Sequence, residues 1–257
     1  MGMPKILTLV RHGESEANVV QKKVKKGELA AYPANYASTP DREFRLSPLG
    51  REQTKLTGEF LGKEYPRGFD FVFSSDHTRA KETAALVCLS AGWKQAKIQV
   101  DPQFGERHWG NFHMVEEVRR AELFALRKRD PLHFPMPDGE TLLEARARTR
   151  ILLERCSRQY GGKQILVFTH GEYIECIWSE IGHMRTEEQK EFFSGPNGDL
   201  KNCQIVEFKS DDTGKFKSVR SSNPYFGIAS AWMPLQKKDF TPEQLLQEVG
   251  QYPSILD

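Results

Sequence analysis

Arg11-His12-Gly13 follows directly on an apolar run, Ile6 to Val10. That run has the length and composition of a buried strand. A histidine just past the carboxyl end of a parallel strand stands where open α/β sheets place their ligands. Arg11 adds a permanent positive charge and a planar fork of donors that suits phosphate. Gly13 lets the backbone approach a ligand closely or adopt φ > 0. Together these residue types suit a histidine that attacks a phosphoryl group. Three residues alone do not outweigh a strand-end turn with a surface histidine, so the partners must come from elsewhere in the chain.

Phosphoryl transfer is catalysed mainly by positioning and by stabilising spread negative charge. It therefore asks for further cationic donors, and for an acid to protonate the leaving oxygen. Asp70 to Phe73 reads as a short strand, followed by Ser74-Ser75-Asp76-His77-Thr78-Arg79 and a helix with Ala80, Ala84, Val87 and Ala91 on its inner face. Arg79 then lies in the first helical turn, where a cation opposes the helix dipole. A bound anion relieves that conflict; a solvated surface arginine is an equal reading of this stretch. Gln164 to Thr169 is a third strand, ending in His170-Gly171 and a helix with Ile174, Ile177 and Ile181 inward. By itself His170 reads as a capping or core histidine, but it repeats the His-Gly of the first strand end. Glu106 lies among Phe104, Gly105, Trp109 and Gly110, after an expected strand Ile98 to Val100. Desolvation beside apolar rings raises a carboxyl pKa and suits it to donate a proton near neutral pH.

Arg11-His12-Gly13 with Asn18, Ser74-Ser75 through Arg79-Ala80, Glu106 with Gly110, and His170-Gly171 occur in this order across residues 5–210. In that order they resemble the histidine phosphatase superfamily, whose members are phosphoglycerate mutase-like. The resemblance implies a three-layer α/β/α sandwich with a mainly parallel central sheet. It implies His12 as the phosphorylated nucleophile, Arg11, Arg79 and His170 on the phosphoryl oxygens, and Glu106 as proton donor and later base. Asn18, with Ser15 and Gly171, is expected to contact substrate. No cofactor and no metal are implied, and the chain has no HxH, HExxH or CxxC pattern. His12 must be neutral to attack. Arg11 and Arg79 beside it disfavour a second positive charge, and a backbone carbonyl on its other ring nitrogen would fix the tautomer.

Mutases of this superfamily usually carry a Phe-Thr-Gly-Trp-like stretch shortly after the asparagine. Here residues 19–27 read Val-Val-Gln-Lys-Lys-Val-Lys-Lys-Gly. Pro40-Asp41 and Leu46-Ser47-Pro48-Leu49-Gly50 also resemble the phosphatase-type branches, whereas Glu106-Arg107-His108-Trp109-Gly110 looks mutase-like. The favoured reading is a phosphomonoester hydrolase acting on a small molecule, with a cofactor-dependent phosphoglycerate mutase as the alternative. A catalytically inactive binding module is the third reading; the presence of Arg11, His12, Arg79, Glu106 and His170 argues against it.

Glu172 and Glu175 stand out. Glu172 follows His170-Gly171 where many relatives have a small or apolar residue, and Glu175 stands where phosphatase relatives often have arginine. A carboxylate near the phosphate repels it unless paired or turned away; otherwise it selects a substrate with a cationic or hydroxyl-rich group.

The remaining elements fit a single α/β domain over residues 1–220. Lid insertions are expected near 19–46 and 110–138, the latter shaped by Trp109, Phe112, His113, Phe134 and arginines 119, 120, 127 and 129. Most of these arginines are expected on a solvated helix face. Ser47-Pro48 opens a helix with Leu49, Gln53, Leu56 and Phe60 on one face. Gly139 to Tyr160 reads as a long helix with Leu142, Ala145, Thr149, Leu152 and Cys156 inward. Thr186 with Gln189 reads as a capping box. Cys203 to Lys209 and Phe216 to Arg220 read as a strand pair. Residues 221–257, with a helix from Thr241-Pro242, form an extension that packs on the domain or joins a homodimer. The 257 residues are 38% hydrophobic and 28% charged, enough for a sizeable core. A net charge of +2 is too small to point to nucleic acid. The lysines at 22, 23, 25 and 26 read as a solvated loop, or as a field that draws anionic substrates. Cys88, Cys156, Cys176 and Cys203 are widely spaced and read as small core residues in helices or a strand, in a reducing compartment. No apolar run reaches membrane-spanning length, and neither a secretory signal nor a myristoylation pattern opens the chain. A cytoplasmic enzyme is the expectation.

Overall fold

The computed structural model describes residues 2–110, 117–195, 200–235 and 241–249. Its centre is one sheet built from β1 (Ile6–Arg11), β2 (Phe71–Ser74), β3 (Ile98–Val100), β4 (Gln164–Thr169), β5 (Ile205–Ser210), β6 (Phe216–Asn223), β7 (Ile228–Ala229) and β8 (Met233–Pro234). The spatial order is β3-β2-β4-β1-β5-β6-β7, with β8 also paired to β6. Strands β3, β2, β4 and β1 run parallel, and the half from β5 onward is antiparallel.

Strands β1 and β4 are apolar on both faces because both faces are covered. Leu7, Leu9, Ile165 and Val167 point to a core shared with α6 (Leu142–Gln159) and α7 (Gly171–Ile181), through Leu152, Cys156, Ile174 and Ile177. Val10, Leu166 and Phe168 point the other way, to Leu61 of α3 (Pro48–Glu64) and Ala84 and Val87 of α4 (Thr78–Ser90). This is the expected three-layer arrangement.

Register decides where the site forms. Arg11 lies opposite Thr169, and Ser74 opposite Phe168. The ladder continues one step past the strands, with His12 N–H donating to Thr169 O and Ser75 N–H to Phe168 O, each at 2.9 Å. The segments that follow β1, β2 and β4 therefore emerge side by side.

Two covering segments lie over these ends. The first carries α1 (Glu16–Lys25), α2 (Ala34–Ser38) and a 3₁₀ turn at Asp41–Glu43. The second carries α5 (Glu117–Arg129). They meet where the Arg120 guanidinium stacks 4.4 Å from the Tyr32 ring centroid. Phe112 and His113 fall outside the described residues. The remaining helices are α8 (Thr186–Ser194) and α9 (Pro242–Val249). Among the described residues no helix is long and apolar enough to cross a membrane.

The structure corrects several local expectations. Helix α3 does not bury a Leu49-Leu56-Phe60 stripe; it buries Gly50, Gln53, Thr54, Thr57, Gly58 and Leu61, and Leu56 is 40% exposed. Small residues win because α3 packs backbone-close on α4: a Cβ on Gly58 would lie 2.5 Å from Val87 O. Helix α6 starts at Leu142 rather than Gly139, because Asp138 turns the chain at φ 55° and Thr141 with Glu144 forms the capping box. Helix α8 is capped by Arg185 with Glu188, and Gln189 is instead buried, accepting from Arg146 at 2.7 Å. Cys203 precedes β5 in a turn at φ 59°, although it is buried as expected.

The turn after β1 needs two glycines facing each other. A Cβ on Gly13 would lie 2.7 Å from Gly50 O, and one on Gly50 would lie 2.1 Å from Glu14 O. Gly50→Ala should therefore push α3 off the His12 turn and cost about 1–3 kcal/mol. Urea unfolding checks this: the midpoint should fall with an unchanged slope.

Candidate active site

The segments after β1, β2 and β4 place two imidazoles and two guanidiniums in one buried space. His12 is 3% exposed. Its Nδ1 lies 2.7 Å from Gly13 O, which makes Nδ1 the donor and leaves Nε2 as the lone-pair nitrogen. Arg79 Nε donates toward that Nε2 at 3.3 Å. Burial first, then Arg79 and Arg11, hold the His12 imidazole well below its ordinary pKa. It stays neutral without any carboxylate on its ring, as the sequence anticipates.

His170 is fully buried with its ring 5.2 Å from that of His12. Its Nε2 meets Ser75 Oγ at 2.8 Å. Burial, then Arg79 and His12, also lower its pKa. Arg11 closes β1, and its Nη1 donates to Leu200 O. Gly171 leaves room for it, since a Cβ there would lie 3.3 Å from Arg11 Nε.

Arg79 is buried in the first turn of α4, as expected, and an anion does sit beside it. That anion is Asp41 of the first covering segment: its carboxylate takes Arg79 Nη2 at 2.9 Å and its backbone carbonyl takes Nη1 at 2.6 Å. His77 Nε2 lies 3.4 Å from the same carboxylate. Although burial opposes it, the contacts with His77 and Arg79 hold the Asp41 carboxyl well below the usual carboxylate range. The sequence marks Asp41 only within Pro40-Asp41 and gives no sign that it meets Arg79 and His77, which lie more than 35 positions away.

Asn18 is held by its own helix cap. Ser15 N–H donates to Asn18 Oδ1 at 3.2 Å, and Asn202 Nδ2 donates to the same oxygen at 3.1 Å. With Oδ1 committed, the Asn18 amide can offer only its NH₂ outward. Ser15 is 1% exposed and its Oγ caps α1. Beside Arg11 and Asn18 opens a cleft of about 580 Å³, lined also by Lys22, Lys25, Lys201 and Tyr225. Lys22 pairs with the buried Glu14 at 2.6 Å, so it is not simply a solvated loop lysine.

Glu106, in the loop after β3, brings its carboxylate to the first turn of α7. Its Oε1 accepts the backbone N–H of Arg107 at 3.0 Å and of Tyr173 at 3.2 Å. Its pKa is pushed up to about 7, mainly by burial and then by Glu172. Glu172 itself is paired: Arg107 Nε lies 3.0 Å from Oε2, and Arg127 of α5 donates to Oε1. Glu175 is buried, and burial followed by Glu172 and Glu106 keeps its carboxyl protonated well above the usual range. Sequence reasoning missed Arg107. It is 1% exposed, yet nothing in its neighbours' types distinguishes it from a surface arginine.

Two neutral imidazoles, one offering its Nε2 lone pair beside Arg79, two fixed cations and a carboxyl whose pKa is raised to about 7 form a set that can receive a phosphoryl group and protonate its leaving oxygen. Among the described residues no group of three or more His, Cys, Asp or Glu is placed to hold a metal ion.

The chain is 26% identical over 220 residues to the 2,3-bisphosphoglycerate-dependent phosphoglycerate mutase 2 of Gloeobacter violaceus, covering 83% of this chain and 90% of that protein. Its structure is similar to that of mycobacterial glucosyl-3-phosphoglycerate phosphatase, with TM-score 0.60, 21% identity and coverage of 84% and 97% of the two chains. It is also similar to the alpha-ribazole phosphatase of Shigella flexneri, with TM-score 0.60, 22% identity and coverage of 80% and 91%. At these identities the structural likeness speaks for the fold. Residues 7–221 match the family described as histidine phosphatase superfamily (branch 1), and the chain belongs to that superfamily.

Proposed function

We propose that the protein hydrolyses a small phosphomonoester through a phosphohistidine on His12. The observation that carries this reading is the His12 imidazole itself, buried, neutral and tied at Nδ1 to Gly13 O, with Nε2 beside Arg79. In the first step the Nε2 lone pair attacks phosphorus and the P–O ester bond breaks. The leaving oxygen takes the Glu106 proton. In the second step water attacks phosphorus, Glu106 takes its proton, and the N–P bond breaks to release phosphate. Arg11, Arg79 and His170 would hold the phosphoryl oxygens, with the Asn18 amide and the N terminus of α7 at Gly171 adding donors. Arg11 and Arg79 supply the positive charge that a metal ion would otherwise bring, so no cofactor is invoked. The lysine-lined cleft suits an anionic substrate.

Transfer of the phosphoryl to a second substrate, as in a mutase, is the other reading, favoured by the likeness to the Gloeobacter mutase. Hydrolysis is preferred because residues 19–27 hold a lysine-rich helix segment in place of the mutase-like stretch, and because both structural relatives named above are phosphatases.

Phosphate release from a panel of sugar phosphates, phosphoglycerates and nucleotides, with EDTA present, tests this. Release should survive EDTA and vanish in His12→Ala. Interconversion of phosphoglycerates without release would favour the mutase, and turnover retained by His12→Ala would overturn both readings.

The pH profile follows from the two key groups. The acid form of Glu106 is needed, so kcat/KM should fall as pH rises through about 7. His12 stays neutral well below its ordinary range, so activity should persist into mildly acidic pH. Glu106→Gln should remove the basic limb and slow alkyl phosphates by roughly 10²–10⁴-fold.

A phosphoryl group at Arg79 must share or displace the Asp41 carboxylate. Asp41→Ala should therefore tighten competitive inhibition by inorganic phosphate roughly fivefold, about 1 kcal/mol, the scale of a half-exposed ion pair. Unchanged or weaker inhibition would show that Asp41 does not compete for Arg79.

A further inference from the structure

The Arg107–Glu172–Arg127 cluster joins three parts of the molecule. Arg107 follows Glu106 in the loop after β3, Glu172 lies in the first turn of α7, and Arg127 is in the last turn of α5. The Trp109 ring lies against both guanidiniums, with centroids 4.2 Å from Arg107 and 5.0 Å from Arg127. Such stacking gains when desolvated. Arg107 is fully buried, and its two terminal nitrogens meet no hydrogen-bond acceptor among the described residues. Glu172 is thus the carboxylate that compensates it, because a buried charge left unpaired is strongly unfavourable.

Few of the described α5 side chains are buried. Leu123 is its one buried apolar side chain among those described, while Phe124 and Leu126 are 44% and 40% exposed. The Arg127–Glu172 pair and the two arginine–aromatic stacks tie α5 to α7, to Trp109 and to Tyr32.

We propose that Glu172 is a positioning residue: by gripping Arg107 and Arg127 together, it makes docking of the α5 cover and the readiness of Glu106 to deliver a proton a single event. This rests on the reading of Glu106 as the acid. The charged groups acting on Glu106 are Arg107 on its own loop, Glu172 and Glu175 on α7, Arg11 at the end of β1, Arg79 on α4 and Arg148 on α6. Arg148 donates to Glu106 O at 3.3 Å and is itself paired with Glu140. Of these neighbours, Glu172 opposes ionisation of Glu106 most, while Arg79 and Arg11 favour it. With Glu172 neutral, Arg107 loses its carboxylate and Glu106 becomes the nearest replacement. Both effects favour ionised Glu106, so its pKa must fall.

The test uses the full chain with carbon-13 labelled glutamate. The Glu106 carboxyl, assigned by its loss in Glu106→Gln, is titrated by NMR, and amide exchange of α5 is followed in the same samples. In Glu172→Gln the Glu106 midpoint should drop by about one pH unit or more, and α5 exchange should speed up about tenfold or more. Phosphate release should fall further for an alkyl phosphate than for p-nitrophenyl phosphate, whose leaving group needs less help from an acid. If Glu172→Gln does not fold, Arg127→Met keeps the Arg107–Glu172 pair and breaks only the α5 end. It should speed α5 exchange and slow the alkyl phosphate, with partial rescue in Arg127→Lys. An unmoved Glu106 midpoint in Glu172→Gln, or unchanged α5 exchange in either variant, would overturn the proposal. Titration and exchange need no turnover, so they read the coupling even if His12-dependent release is absent, a result that would defeat the hydrolase reading instead.

Discussion

Positive charge gathered at three neighbouring strand ends is the constraint on which the rest of this structure depends. Arg11 and Arg79 are fixed cations in a space that also holds His12 and His170. Four such groups can share a buried volume only if the imidazoles stay neutral and an anion comes to the guanidiniums. The parallel pairing of β2, β4 and β1 enforces the crowding, because Arg11, Thr169 and the residue after Ser74 fall at one level. The same crowding lowers both histidine pKa values, so the fold itself prepares a neutral nitrogen. Asp41 answers the remaining demand by bringing a carboxylate to Arg79 from the covering segment.

Opposite charge collects on the other wall. Glu106, Glu172 and Glu175 lie close together, and two of the three respond by holding their protons above the usual range. Arg107 and Arg127 flank Glu172. The site therefore separates a cationic wall that would hold a phosphoryl group from a proton-holding wall that would serve its leaving oxygen. Covering segments reach both sets of charges, Asp41 from the first and Arg127 from the second.

Much of this was legible from sequence because it follows from local pattern. Apolar runs ending in His-Gly locate β1 and β4, and Arg79 falls in a helix's first turn by simple periodicity. Glu106 announces its raised pKa through Phe104, Trp109 and two glycines. What was not legible depends on contacts between distant segments. Asp41 meets Arg79 across 38 positions, and Arg127 meets Glu172 across 45. No local pattern separates buried Arg107 from the exposed arginines at 119 and 129. The α3 face was misjudged because it buries glycine and threonine so that two helix backbones can touch, a choice invisible to hydrophobic periodicity. Glu172 is the instructive case: its type predicts repulsion of phosphate, and only its two partners show where its charge is spent.

The central claim is that the buried, neutral Nε2 of His12 takes the phosphoryl group. Rapid quenching of the wild-type enzyme with an excess of a phosphomonoester it hydrolyses, followed by mass spectrometry of the peptide carrying residue 12 under alkaline conditions, tests this most directly. The account predicts an acid-labile phosphate on His12 that forms before steady-state release and decays when substrate is exhausted. Turnover with the phosphate on another residue, or with no phosphoenzyme at any time when capture is shown to be efficient, would contradict it.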